Sequence, residues 1–242
     1  MKRKNLILFM ISFIALSSCT NKLFNYALTK KGIYDEKISV SKFNFKDKQI
    51  VFFPMHHIGT QNFYSDVNTK IDSLQKLGFF FYLENVTSKS SDKQDLMKLR
   101  KIMGMGLPNG GYEKILDSIM LEKNLKFTKE IKFQPAYADW RLNSINSKNV
   151  DATVPELIKF YESKYGEIKL EECDLNTPDI TNSTKCSYRK NERKAYQILV
   201  LNYRNNLIAN KINDNSKQKI ALIYGAGHYD GIKKLLDSLE KQ

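Results

Sequence analysis

All three histidines of this chain follow short apolar runs that are typical of buried strands. His56 and His57 follow "IVFFPM", His228 follows "ALIYGAG", and Glu84 follows a third apolar run, "FFFYL". Imidazole and carboxylate groups bind zinc, manganese, cobalt and iron, and the same groups transfer protons during hydrolysis. A single histidine could be an ordinary structural residue. Three histidines and a carboxylate at strand ends favour a metal-binding or acid–base site.

The elements that must position these residues are strands alternating with helices. Between Gln49 and Glu84, two apolar runs flank a segment whose apolar residues recur at helical spacing: Val67, Ile71, Leu74 and Leu77. Strand, helix and strand in this order are typical of a βαβ unit. Near the end of the chain, a long helix, the strand "KIALIYG" and a closing helix follow one another. We therefore predict an α/β fold with a mixed, largely parallel central sheet flanked by helices.

The carboxyl ends of parallel strands share one edge of such a sheet, and ligands bind at that edge. We expect His57, Glu84 and His228 to meet there, together with Asp139 at the end of the predicted strand "FQPAYADW". His56 should face away from His57, because adjacent side chains on an extended segment point to opposite sides. The pattern places the candidate site on this edge.

The long helix before the last strand carries two polar residues of interest. Ile198, Leu201, Ile208 and Ile212 form an apolar stripe, Asn205 falls within it, and Arg204 lies at its border. A buried polar side chain needs hydrogen-bond partners. Asn205 could cap a neighbouring loop while Arg204 extends into solvent; alternatively, the arginine reaches the same sheet edge.

The turn "GAGHYDG" between the last strand and the closing helix loosely resembles a dinucleotide-binding loop. Such a site needs an acidic residue ~20 positions further on, at the end of the next strand. Here a single helix follows, so nucleotide binding is not expected. Gly225 and Gly227 should instead let the backbone turn tightly and bring His228 to the sheet edge.

The first nineteen residues resemble a bacterial lipoprotein signal peptide. Lys2, Arg3 and Lys4 precede an apolar stretch that is too short to span a bilayer, and "LSSC" resembles a lipobox ending in Cys19. We expect a signal peptide at residues 1–18, a lipidated Cys19 with a tether at residues 19–48, and one domain at residues 49–242. An ordinary cleaved signal peptide is the alternative. The lipid anchor would place the protein on a membrane of the bacterial cell envelope.

Charge and cysteines narrow the possible partners. The net charge of +13 favours acidic partners or a membrane surface. The lysines are dispersed and no nucleic-acid motif is present, so a solvated basic surface is favoured and we expect no nucleic-acid partner. Cys173 and Cys186 flank a polar, turn-rich segment, and in an oxidising compartment they should form a disulfide. Two unpaired thiols are the alternative; a metal site is less favoured because no histidine lies nearby.

Two long segments resemble the TraB/GumN/TIKI family. "IVFFPMHHIGTQNFYSDVNTKIDSLQKLGFFFYLE" resembles its opening part, with a Gly-x-x-His motif after one strand and a glutamate after the next. "NYRNNLIANKI" and "KIALIYGAGHYDGIKKLL" are similar to its closing part, with an Arg-Asn pair and a second Gly-x-x-His. The residues that match the motifs are His57, Glu84, Arg204 and His228, and "ADWR" matches less closely at Asp139 and Arg141. Pro54 stands where the first motif has glycine.

The resemblance implies a membrane-anchored, divalent-metal-dependent hydrolase that acts on peptides or small molecules, with a peptidase as the expected activity. His57, Glu84 and His228 would bind manganese, cobalt, zinc or iron, and Arg204 would stabilise the developing oxyanion. The wider EreA/ChaN-like group to which the family is similar implies two alternatives. One is a non-catalytic haem- or iron-binding lipoprotein, and the other is a metal-free esterase of the erythromycin-esterase type with a histidine as general base.

Overall fold

The computed structural model describes residues 20–88, 92–104, 116–117, 120–177 and 196–241. These residues fall into two compact units, where one domain was expected. The smaller unit contains the described residues up to Ile38, His56–Thr69, and those between 110 and 135. The larger unit contains Ser39–Met55 and the described residues of 70–109 and of 136–242.

The larger unit is built on a five-stranded sheet with strand order β1-β2-β7-β4-β6. Its strands are β1 (Ser41–Phe45), β2 (Lys48–Met55), β4 (Phe80–Leu83), β6 (Ser147–Asn149) and β7 (Lys219–Gly225). β1 pairs antiparallel with β2, and all other neighbours are parallel. This mixed, largely parallel sheet confirms the predicted α/β class. β7 lies between β2 and β4, and its residues Ile220–Tyr224 are fully buried, as expected for a central parallel strand.

Helices pack around this sheet. Along the chain they are α2 (Gln61–Lys76), α3 (Lys93–Met103), α4 (Val154–Tyr165), α5 (Glu172–Leu175), a π-helix (Tyr196–Tyr203), α6 (Arg204–Asn213) and α7 (Tyr229–Leu239). Ile208 and Ile212 of α6, with Ile232 and Leu236 of α7, share a buried core with strand residues such as Leu222. A second buried cluster joins α3, α4 and the π-helix.

The smaller unit contains α1, formed by the helical residues 20–30, and a two-stranded antiparallel sheet of β3 (Ile58–Gly59) and β5 (Lys132–Phe133). Two expectations are therefore wrong. Residues 20–48 are not a tether, because they include α1 and β1, and Phe45 of β1 is buried in the sheet core. The expected strand ending at Asp139 is interrupted, because β5 ends at Phe133 and Tyr137–Trp140 form a 3₁₀ turn.

Candidate active site

The ends of β4 and β7 bring Glu84 and His228 together. These strands are parallel neighbours, with Leu83 opposite Ile223, so the residues that follow them emerge at the same edge. The backbone N–H of Gly225 donates to Glu84 Oε2, and a short 3₁₀ turn, Ala226–His228, then carries the imidazole inward. His228 is 3% exposed, and its Nε2 lies 3.4 Å from Glu84 Oε1.

Arg204, the first residue of α6, links Glu84 to a second carboxylate, Asp151. Its Nη2 donates to Glu84 Oε1 and to Asp151 Oδ2, both at 2.6 Å, and its Nε donates to Asp151 Oδ1 at 2.7 Å. The contact with Asp151 is therefore bidentate, the strongest form of an arginine–carboxylate pair. Both side chains are buried, so solvent screens these charges weakly. The guanidinium is held firmly between two carboxylates.

Asp151 is a site residue that the sequence did not reveal. It follows β6, whose sequence Ser147–Asn149 is polar and only three residues long. The strand forms because it pairs with β4, with Phe81 opposite Ser147. Because β6 has no apolar run, its sequence does not predict a strand. The sequence therefore does not indicate that Asp151 lies at a strand end.

Asn205 orients the imidazole of His228. Its Oδ1 lies 2.6 Å from His228 Nδ1, and a carbonyl oxygen can only accept, so Nδ1 carries the hydrogen. Nε2 is thereby left facing Glu84. Gly231 of α7 makes this arrangement possible, because a Cβ at that position would lie 2.1 Å from Asn205 Nδ2. Sequence reasoning missed Gly231, which looks like an ordinary helix residue.

The environment keeps Glu84 ionised. Burial by itself would raise its pKa, but a hydrogen bond from the imidazolium form of His228, the charge of Arg204 and the N–H of Gly225 together lower the pKa to about 2. Burial opposes the charge of Arg204 as well, yet the two carboxylates raise its pKa above the ordinary value. With a neutral imidazole, this cluster of two carboxylates and one guanidinium carries one net negative charge. It is therefore suited to take up one further positive charge.

Two tyrosines fix the backbone beneath this cluster. The hydroxyl of Tyr137 donates to the carbonyl of Glu84 at 2.7 Å, and that of Tyr224 donates to the carbonyl of Leu83 at 3.1 Å. The ring of Tyr224 also meets the ring of His228 edge-on, with centroids 5.7 Å apart. The end of β4 is thus held by side chains, which limits the movement of Glu84.

His57 lies in the smaller unit, so its participation in a site with Glu84 and His228 stays a prediction. Its side chain is exposed, and its backbone carbonyl accepts from Gln134 N at 2.9 Å. His56 is half-buried, and its ring lies 5.8 Å from the ring of Phe63. Burial lowers the pKa of His56, partly offset by Asp35.

Pro54, which replaces the glycine of the first family motif, lies within β2. It pairs with Tyr224 of β7, whereas the pairing of β2 with β1 extends only to Phe52. Proline cannot donate a ladder hydrogen bond, and a position beyond the end of a neighbouring strand tolerates this loss. The substitution is therefore compatible with the strand.

Asp139 and Arg141, which lie in the segment that resembles the family motifs less closely, have local structural roles. Asp139 accepts from the backbone N of Ala136 at 3.0 Å and so caps the 3₁₀ turn. Arg141 forms a surface ion pair with Asp72. Among the described residues, neither side chain forms a hydrogen bond or ion pair with the Glu84 cluster. Gly227 has no evident steric role, since a Cβ there would make an ordinary contact with Leu201 at 3.8 Å.

Another carboxylate-rich group lies at α5, where ligand atoms of Glu171, Cys173 and Asp174 approach within 4.8 Å of one another. Cys173 is disulfide-bonded and Lys101 pairs with Asp174 at 2.8 Å, so this group lacks a free thiolate and already holds a cation. We therefore do not assign a metal site to this group.

Two cysteine predictions cannot be compared with the structure. The expected disulfide partner, Cys186, and the expected lipidation site, Cys19, both lie outside the described residues. A surface pocket of about 450 Å³ adjoins Lys101 and contains none of the Glu84 cluster.

No family model, curated protein or solved structure matches this chain. The resemblance to the TraB/GumN/TIKI family therefore stays a prediction from the quoted motifs, and the geometry must carry the functional argument. Within the part of the chain that is described, no helix is both long and apolar enough to cross a bilayer.

The donor atoms of Glu84 and His228 fit a divalent metal in type and spacing. Two ligand atoms on a tetrahedral ion with bonds of ~2.0–2.2 Å lie about 3.4 Å apart, and Nε2 and Oε1 are 3.4 Å apart. A carboxylate oxygen has two lone pairs, so Oε1 can accept from Arg204 and still bind an ion. Catalytic zinc sites use three protein ligands. Glu84 and His228 supply two, and His57 is the predicted third.

Proposed function

We propose that this chain is a hydrolase whose reaction centre is formed by Glu84 and His228, with a divalent metal held by these two residues and His57. The observation that carries the proposal is the buried imidazole Nε2, fixed 3.4 Å from an ionised carboxylate oxygen. The net negative charge of the surrounding cluster supports the uptake of a cation. The family resemblance suggests peptides as substrates, and the lipobox-like sequence before Cys19 suggests a lipid anchor in the cell envelope.

Each residue around the pair has a distinct part. Asn205 holds the hydrogen on Nδ1, which leaves the lone pair of Nε2 free to bind a cation or to accept a proton. Glu84 supplies negative charge beside Nε2 and so stabilises an imidazolium or a bound cation. A divalent metal, when bound, polarises a substrate carbonyl and lowers the pKa of water.

Arg204 takes a different part from the one that the resemblance implies. Its Nε and Nη2 are engaged by carboxylates, and its Nη1 lies 3.4 Å from the carbonyl of Val200. We therefore assign Arg204 to holding Glu84 in place and ionised, with Asp151 fixing the guanidinium. An oxyanion that forms on the substrate would therefore be stabilised by a hydrogen-bond donor other than Arg204.

Metal-free hydrolysis is the second candidate, and one observation favours it. Glu84 Oε1 already accepts from Arg204 at 2.6 Å, so the carboxylate has a cationic partner without a metal. In this alternative, His228 Nε2 removes a proton from water as the water attacks the substrate carbonyl. Glu84 stabilises the resulting imidazolium, and the same proton then passes to the leaving group.

The test uses a chain of residues 20–242, which includes every described residue. Bound metal is measured by elemental analysis, and hydrolysis of peptide and ester substrates is followed with and without a chelator. The variants are His57→Ala, Glu84→Gln and His228→Ala, with His56→Ala as the matched control. Loss of metal and activity in the three variants but not in the control would support the metal-dependent proposal.

The other outcomes separate the candidates. Activity that resists the chelator, survives His57→Ala and is lost in Glu84→Gln and His228→Ala would favour the metal-free hydrolase. If the folded protein neither holds metal nor hydrolyses either substrate class, the hydrolase proposal is contradicted. Retention of metal by all three variants and its loss in His56→Ala would show that the ligands are wrong.

A further inference from the structure

One face of helix α1 packs on the rest of the smaller unit, and the opposite face is exposed. On the packed face, Asn25 Nδ2 donates to the carbonyl of Lys126 at 2.8 Å, and the ring of Phe24 lies 5.8 Å from that of Phe127. On the other face, Leu23 is 70% exposed and Tyr26 is 60% exposed. Residues three apart on a helix are neighbours, so these two apolar side chains form one exposed patch.

The charged residues of α1 are all lysines. Residues 20–31 contain Lys22, Lys30 and Lys31 and no aspartate or glutamate. Lys30 lies on the same side as Tyr26, because its Nζ is 5.5 Å from the centre of the tyrosine ring. An apolar patch with an aromatic ring, bordered by lysines, is the pattern of helices that lie in the headgroup region of a membrane.

The sequence immediately before α1 points to the same partner. Helical residues are present from Thr20 onward, directly after Cys19, the residue that the lipobox-like sequence marks for lipidation. An acylated Cys19 would hold the start of the helix at the headgroups. The lysines then meet anionic lipids, and Leu23 and Tyr26 can reach the boundary with the acyl chains.

We propose that the α1 face, formed by Lys22, Leu23, Tyr26 and Lys30, docks on the surface of an anionic lipid bilayer. This contact adds to any lipid anchor and orients the smaller unit toward the membrane. It goes beyond the proposed hydrolase function and is independent of it, because it requires neither Glu84 nor His228. It also requires no acyl chain, so it can be measured on unmodified protein.

The experiment measures binding of residues 20–242 to sedimented vesicles. One set contains phosphatidylglycerol and phosphatidylcholine in equal amounts, and the other contains phosphatidylcholine alone. We expect binding to the anionic vesicles that falls as salt is raised, and much weaker binding to the neutral ones. Leu23→Glu and Tyr26→Glu should each weaken binding by roughly tenfold or more, since each removes a buried apolar contact and adds a repelled charge.

Matched controls come from exposed apolar residues of the larger unit. Leu77 is 58% exposed and Ile145 is 87% exposed, so Leu77→Glu and Ile145→Glu make the same chemical change outside the α1 face. These two variants should bind as the unaltered chain does. Circular dichroism checks that every variant is folded. The double variant Lys22→Gln/Lys30→Gln, which alters only exposed residues, should weaken binding to anionic vesicles by about tenfold or more.

Three results would overturn the proposal. Equal weakening by the control variants would show that any added negative charge suffices. Equal binding to both vesicle sets would remove the role of the lysines. Self-association that is lost in Leu23→Glu, with no vesicle binding by the unaltered chain, would assign the α1 face to a second copy of the protein instead.

Discussion

Two buried ion-pair clusters of the larger unit show how differently the same chemical groups can be used. At α5, Asp174 pairs with Lys101 at 2.8 Å, and Lys101 also donates to the carbonyl of Lys169 at 2.6 Å. The Asp174 carboxylate accepts a further hydrogen bond from the backbone N of Glu171. The fully buried Arg100 donates to the carbonyl of Asp174 at 2.7 Å, and Lys101 also lies 3.7 Å from the exposed Glu171, so the buried Asp174 carboxylate has cations beside it.

The Glu84 cluster is built differently. Its two carboxylates share one guanidinium, and the imidazole Nε2 of His228 lies 3.4 Å from Glu84 Oε1. With a neutral imidazole, the two carboxylates of the Glu84 cluster outnumber its one guanidinium, whereas the buried Asp174 carboxylate has Lys101 beside it. Burial of charge costs stability in both places. We therefore choose the candidate site by its unbalanced charge beside a titratable group and not by the burial of an ion pair.

The largest expected effect comes from removing the cation of each cluster. Arg204→Met and Lys101→Met each remove the cation that pairs with a buried carboxylate, so each should lower the free energy of unfolding by about 3–5 kcal/mol. Urea unfolding measures this. Only Arg204→Met should also abolish metal binding and hydrolysis, because only it releases Glu84. Arg141→Met, which removes a surface ion pair, should cost about 0–1 kcal/mol.

An equal loss of activity in Arg204→Met and Lys101→Met, both measured under conditions where they remain folded, would contradict the distinction. It would mean that the Glu84 cluster matters through stability alone. Unchanged activity in Arg204→Met would instead remove the assignment of Arg204 as the residue that positions Glu84.

The strands that carry Glu84 and His228 could be predicted because they are apolar. β2, β4 and β7 are buried runs, and their carboxyl ends share an edge by the geometry of parallel pairing. The capping box of Thr153 and Glu156 at the start of α4 could also be predicted from the sequence, because both residues lie within one helical turn. Local signals of this kind need no knowledge of distant residues.

Features that depend on distant residues escaped prediction. β6 is polar and exists because β4 offers it a partner, so Asp151 was missed. Helical residues 20–30 are held by contacts about a hundred positions away, such as Asn25 with Lys126, and the segment was taken for a tether. Gly231 matters only because Asn205 fills the space beside it.

The π-helix altered the stripe expected on the long helix. An α-helical period placed Ile198 and Leu201 in the core, but both are only half-buried. Leu199 is fully buried instead, five residues before the buried Arg204. The i→i+5 hydrogen bonds of a π-helix widen each turn, so residues five apart share a face. A 3.6-residue period could not foresee this shift.

The second prediction concerns acid stability. The pKa of Glu84 is lowered from 4.5 to about 2, so its ionised form stabilises the fold at pH values above about 4.5. This contribution is lost as the pH falls toward 2, and it amounts to about 3 kcal/mol. Glu84→Gln should therefore remove that much of the pH dependence between about pH 5 and pH 2.

The measurement is urea unfolding of both proteins across this range. All other carboxyl groups are shared, so the difference between the two curves isolates Glu84. We expect the unaltered chain to be more stable at neutral pH and the two curves to converge in acid. Parallel curves would mean that Glu84 has an ordinary pKa in the folded protein.

The smallest effect on stability, and the most selective test of the site, is expected from Gly231→Ala. The new Cβ would lie 2.1 Å from Asn205 Nδ2, so the amide must swing away from His228 Nδ1. Asn205 can move by side-chain rotation, and alanine gains about 1 kcal/mol of helix propensity over glycine, so stability should change little. Losing the hydrogen bond that orients a ligating or catalytic imidazole typically costs about 10- to 100-fold in metal affinity or activity.

The control is Gly227→Ala, whose Cβ would lie 3.8 Å from Leu201. It should leave stability and activity close to those of the unaltered chain. Imidazole ¹⁵N shifts should report the Nδ1–H tautomer of His228 in the unaltered chain and a mixture of tautomers in Gly231→Ala. The double variant Gly231→Ala/Asn205→Ala should be no less active than Asn205→Ala alone, because both changes remove the same contact. An additive loss in the double variant would show that Gly231 acts on the site by another route.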